Sequence, residues 1–152
     1  DLWFLFISDL KMITYFVLAI VIEAALGANN THGLTVDQIT SLVMLDMDDN
    51  HDGHVSEGEL MLELVFRWDK NFDLQVSQNE FVSFWAQTYH DDPATTAAFF
   101  YNLDFNHDNF LTTDDITHHL AVLDPNGDKQ VSEAEFKHFM HVMHPQGNFQ
   151  GQ

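Results

Sequence analysis

Apolar side chains recur at three- and four-residue intervals in six stretches separated by short oxygen-rich segments, a pattern that predicts amphipathic helices joined by loops. The first begins at Leu34, with Thr35 as a cap and Ile39, Leu42, Val43 and Leu45 at helical spacing. Leu60, Leu64 and Trp68 fall four apart over Glu57–Trp68. Phe81, Phe84, Trp85 and Tyr89 mark a third helix that ends near Asp91-Asp92-Pro93, because a residue before proline resists the helical conformation. Ala94–Leu103 carries Phe99, Phe100 and Leu103, Ile116–Leu123 forms a compact helix, and Phe136, Phe139, Met140 and Met143 line the last one. Pro145–Gln152 reads as a loose polar tail.

The segments between these helices repeat one pattern. In Asp48–Glu59 the residues Asp48, Asn50, Asp52, Ser56 and Glu59 occupy positions 1, 3, 5, 9 and 12 of a loop, with Gly53 at position 6 and Val55 at position 8. That is the spacing that wraps a hard cation, with the His54 carbonyl adding a backbone oxygen and Glu59 closing the shell. The second loop offers Asp69, Asn71, Asp73, Gln75, Ser77 and Glu80, with Leu74 in place of glycine. The third offers Asp104, Asn106, Asp108, Phe110, Thr112 and Asp115, with Asn109 at position 6. The fourth offers Asp124, Asn126, Asp128, Gln130, Ser132 and Glu135, with Lys129 at position 6. If position 6 needs a positive φ, a residue other than glycine costs about 1 kcal/mol there.

Charge sharpens the picture. The 152 residues carry 24 acidic and 5 basic side chains, a formal charge of -19, which argues against nucleic acid or an unaided anionic membrane as partner and favours cations. Hydrophobic content of 45% with 14 Phe is enough to build a core, which separates the chain from an acidic disordered tail. No cysteine is present, so neither disulfides nor thiolate metal sites enter.

The N-terminal region differs. The apolar run from Met12, followed by Ala25-Leu26-Gly27, predicts a secretory signal peptide over Met12–Gly27 within a leader of residues 1–27. Glu23 interrupts that run, and a membrane anchor or a buried helix is the alternative. Asn29-Asn30-Thr31 is a glycosylation sequon just beyond the proposed cleavage point. The expected organisation is a leader over 1–27, a four-loop domain over 28–144 and a flexible tail over 145–152, in a secreted or secretory-lumen setting, or a cytoplasmic one if the leader reading fails.

On these four loops the chain resembles the EF-hand calcium-binding superfamily over about Leu34 to Met143, without pointing to a subfamily. The resemblance implies an all-α EF-hand fold of about six helices, up to four Ca²⁺ ions, and a role as a calcium buffer or calcium-stabilised structural protein, with calcium ions as partner. The alternative is a calcium sensor that exposes an apolar groove, lined by Met44, Met47, Met61, Met140 and Met143, to a protein target. A homodimer is a further option. Asp115, one methylene shorter than Glu, implies a weaker or Mg²⁺-tolerant third site.

The loops start at Asp48, Asp69, Asp104 and Asp124, at spacings of 21, 35 and 20 residues. The outer intervals leave room for one shared helix each, Glu57–Trp68 and Thr113–Leu123. An eleven-residue helix is about 16 Å long, so the loops at its two ends cannot pair. The expectation is therefore nested pairing, Val76 with Leu111 and Val55 with Val131, unless the first and fourth loops pair with another molecule.

The remaining chemistry is sparse. His138, His141 and His144, and His118-His119, suggest a transition-metal site only weakly, and the first two are expected along a solvated face. No nucleophile elbow or phosphate-cradling loop is present, and no enzymatic activity is expected.

Overall fold

The computed structural model describes residues 34–149. The chain divides into two units, Asp1–Gly33 and Leu34–Gln152. The leader and the Asn29 sequon lie outside the described residues.

The described residues are mostly helical, with six α-helices and two small antiparallel sheets. Helix α1, Val36–Met47, starts at Thr35, whose side chain accepts from Gln38 N while the Gln38 side chain returns the bond to Thr35 N. Its buried face holds Val36, Ile39, Val43, Met44 and Met47, and Leu45 points outward. The expectation for Leu45 is corrected by the 3.6-residue period, which carries Met44 and Met47 inward instead.

Strand β1, His54–Ser56, leads into α2, Glu57–Leu62, which continues as a π-helical segment over Glu63–Trp68. The shared element is thus helical from Glu57 to Trp68, but its second half is wider than an α-helix. Arg67 from this segment pairs with Glu63 at 2.9 Å and with the buried carboxylate of Asp46, while Trp68 turns into the core.

Strand β2, Val76–Ser77, precedes α3, Gln78–Tyr89, which ends at His90 in the left-handed conformation with φ 53°. Helix α4, Pro93–Leu103, is capped by Asp92, with Pro93 in the first turn, where its missing N–H has no intrahelical partner to lose. Strand β3, Phe110–Leu111, helix α5, Thr113–Leu123, strand β4, Gln130–Ser132, and helix α6, Glu133–Met143, follow. Pro145–Phe149 forms a short 3₁₀ helix.

The sheets pair β1 with β4 and β2 with β3, both antiparallel. Val55 lies opposite Val131, and Val76 opposite Leu111, the nested register expected from helix length, within one chain. All four side chains are buried. Around β2 and β3, Trp68, Phe81, Trp85, Phe99 and Phe100 form an aromatic core, with Phe81 stacked on Trp85 at 5.3 Å and Trp68 edge-on to both. Apolar burial of this kind stabilises by about 25 cal/mol per Å².

Polar groups bridge the helices. Tyr89 of α3 donates to Asp46 of α1 at 2.9 Å, and His119 Nε2 of α5 donates to the Leu103 carbonyl of α4 at 2.9 Å. Among the described residues no helix is long and apolar enough to cross a membrane.

Candidate functional site

The four loops share one closure, built from side-chain oxygens accepting the loops' own N–H groups. In the first loop Asp48 accepts from Asp52 N and Gly53 N, Asn50 Oδ1 accepts from Asp52 N, and Asp52 accepts from His54 N. Glu59 folds back across the loop: one oxygen accepts from Asp49 N and Asn50 N, the other from the amide and hydroxyl of Ser56. Ser56 in turn accepts from Glu59 N, so the carboxylate that closes the loop also caps α2.

The second loop repeats this. Asp69 accepts from Phe72, Asp73 and Leu74 amides, Asn71 from Asp73 N, and Asp73 from Gln75 N. Glu80 reaches Lys70 N and both Ser77 donors. In the fourth loop Asp124 accepts from Gly127, Asp128 and Lys129 amides, Asn126 from Asp128 N, and Asp128 from Gln130 N. Glu135 accepts from both Ser132 donors and from the Asn126 side-chain amide at 2.8 Å.

Loop three manages with a shorter acid. Asp104 accepts from Asp108 N and Asn109 N, Asn106 from Asp108 N, and Asp108 from Phe110 N. Asp115 bridges Phe105 N and the two Thr112 donors. Thr112 sits at φ -131°, whereas Ser56, Ser77 and Ser132 lie near -70° at -72°, -68° and -71°. The missing methylene is thus matched by a local shift of backbone. The position-7 residues His54, Phe110 and Gln130 lie in strands, and Gln75 immediately precedes β2.

Position 6 takes a positive φ in every loop: 86° at Gly53, 67° at Leu74, 70° at Asn109 and 65° at Lys129. Position 4 does so too, at His51, Phe72, His107 and Gly127, a second demand that only the fourth loop meets with glycine.

These contacts set the carboxylates' electrostatics. Burial opposes the charge on Glu80, but the Ser77 hydroxyl and amide and the Lys70 and Asn71 amides outweigh it and hold the carboxyl below its ordinary value. Glu135 is lowered chiefly by the Ser132 hydroxyl and amide, against its own burial and the charge of Asp124.

The metal reading is corrected here. Among the described residues no group of three or more His, Asp or Glu side chains is placed to hold a metal ion. The acids expected as ligands, from Asp48, Asp52 and Glu59 through Asp124, Asp128 and Glu135, accept from loop N–H and O–H groups. In the fourth loop an Asn126 N–H₂ donor, not an oxygen, faces Glu135. Ca²⁺ as cofactor, Mg²⁺ tolerance at Asp115, calcium ions as partner, and the buffer and sensor roles are withdrawn on this finding.

The histidines are also redistributed. His118 and His138 are exposed, whereas His119 and His144 are buried and His141 is half-buried against Asp37. His144 Nε2 lies 3.0 Å from Asp91 Oδ2, which also accepts from Thr96 Oγ1 at 3.0 Å. The sequence does not announce this group, because Asp91 reads as a helix terminator and His144 as one more histidine at the end of the last helix. Met44, Met47 and Met140 are buried core. A cleft of about 290 Å³ is lined by Leu60, Leu120 and Val131 together with the charged side chains of Glu57, Asp124 and Lys129.

The chain matches no family model, no curated protein and no solved structure. Together with the absence of a ligand cluster among the described residues, this corrects the resemblance to the EF-hand superfamily: the described residues are mostly helical with two small antiparallel sheets.

Proposed function

We propose that this chain is a non-catalytic acidic module that binds basic polypeptide segments electrostatically in a secretory or extracellular setting. The observation that carries the reading is the charge of -19 on a chain with a substantial aromatic core, because a folded body of one sign attracts and steers polycations. The apolar run from Met12 supports the setting. The finer fold reading is that the four loops are copies of one unit, set in two nested pairs about a pseudo-twofold axis.

Titration with poly-lysine, followed by tryptophan fluorescence, tests the binding. Affinity is expected to fall at least tenfold, on the order of what screening allows, as the Debye length shrinks from about 30 Å at 0.01 M salt to about 8 Å at 0.15 M. No binding at the lower salt concentration, or binding indifferent to salt, would remove the proposal.

A further inference from the structure

Two histidines three residues apart grip the same 3₁₀ turn with opposite proton requirements. His141 presents Nε2 to Asp37 Oδ1 at 2.7 Å and Nδ1 to the Gly147 carbonyl at 3.3 Å. Both neighbours are acceptors, so both contacts are made together only when the ring carries two protons. His144 presents Nε2 to the Asp91 carboxylate at 3.0 Å, while its Nδ1 accepts from the Gln146 amide at 3.4 Å. That ring has one acceptor and one donor facing it, the environment of the neutral tautomer.

From this geometry we propose that His141 and His144 form a proton-operated clamp on Pro145–Phe149, closed when the first ring is charged and the second neutral. Acidification places a proton on His144 Nδ1, where it meets the Gln146 N–H head-on beside a ring that is itself buried, and the turn is released. Alkalinisation leaves His141 with a single ring proton, so either the Asp37 or the Gly147 contact is given up.

The surroundings of both rings are consistent with this. Helix α1 contributes Asp37, α6 contributes Lys137, which also reaches Asp37 at 2.8 Å, and the link between α3 and α4 contributes Asp91. Helix α4 offers uncharged groups: Thr96 on Asp91, Phe99 at 5.0 Å from the His144 ring, and Asn102 donating to the Met143 carbonyl. The turn itself is seated tightly. Gly147 donates to the His144 carbonyl at 2.9 Å, and a Cβ at Gly147 would lie 2.4 Å from the His141 carbonyl oxygen, so release of the turn requires real separation from α6.

The test is NMR on the full chain between pH 5 and 8.5, following the two histidine rings and the hydrogen-exchange protection of the Gly147 amide. Protection is expected to fall at least tenfold between pH 7.5 and pH 5, on the order of a local opening, with the same midpoint as protonation of His144. His141→Phe should abolish the variation on the alkaline side. In the paired variant Asp91→Asn with His144→Phe, which leaves no buried charge, the acid-side loss should vanish. Equal protection at pH 5 and 7.5 in the wild-type chain, a midpoint belonging to another group, or acid loss that persists in the paired variant would overturn the clamp.

Discussion

The phenol of Tyr89 donates to the carboxylate of Asp46 at 2.9 Å in a site that is almost fully buried. Arg67 reaches the same carboxylate from the π-helical segment, so one acid ties together α1, the shared helix and α3. A hydrogen bond to a buried charge contributes about 1.5–3 kcal/mol. Tyr89→Phe should lower unfolding stability by about that amount in urea denaturation, with little change in m.

Leu74 adopts φ 67° and is exposed, so replacing it removes backbone strain and almost no packing. Left-handed geometry costs an L-residue about 1–2 kcal/mol, partly offset by glycine's larger freedom in the unfolded chain. Leu74→Gly should therefore stabilise by up to about 1 kcal/mol, read as a higher Tm. Lys129→Gly, at φ 65°, should behave alike.

Asp37 is held below its ordinary value of 3.8, first by the hydrogen bond from Lys137 and then by that from His141. Because the folded carboxyl is the stronger acid, its contribution is present above the unfolded value and is lost as pH falls through the folded one. The pair is half-exposed, so the contribution is about 0.5 kcal/mol. Wild-type and Asp37→Asn chains should differ by this amount at pH 5, and the difference should shrink as pH falls below the ordinary carboxyl value of 3.8 in matched denaturation curves.

If the loops' own hydrogen bonds suffice to close them, helicity measured by circular dichroism stays the same in chelator and in millimolar calcium. Stoichiometric calcium uptake, or a gain of helix on adding calcium, would reinstate the ligand reading of Asp48–Glu59 and its repeats.

Much of the fold was legible in the sequence. The apolar period located the helices, and the lengths of Glu57–Trp68 and Thr113–Leu123 implied the nested pairing that the strands adopt. Hidden features depended on partners distant in sequence. Nothing near Asp46 announces Tyr89 or Arg67, and nothing near His144 announces Asp91, because burial of a polar group is decided by tertiary neighbours. The π-helical turn is equally silent, since its apolar spacing fits an α-helix. The site was misread because oxygen-rich spacing specifies where carboxylates fall along a loop but not whether an ion or the loop's amides will meet them.

One chain pairs its first loop with its fourth and its second with its third. Val55→Cys with Val131→Cys places two thiols on directly opposed residues of an antiparallel bridge, within disulfide reach. Under mild oxidation this variant should form an intramolecular crosslink, seen as a faster-migrating monomer on non-reducing gels, while Val55→Cys with Val76→Cys should not. A crosslink between Val55 and Val76, or a Val55–Val131 bond found only in covalent dimers, would contradict the nested fold.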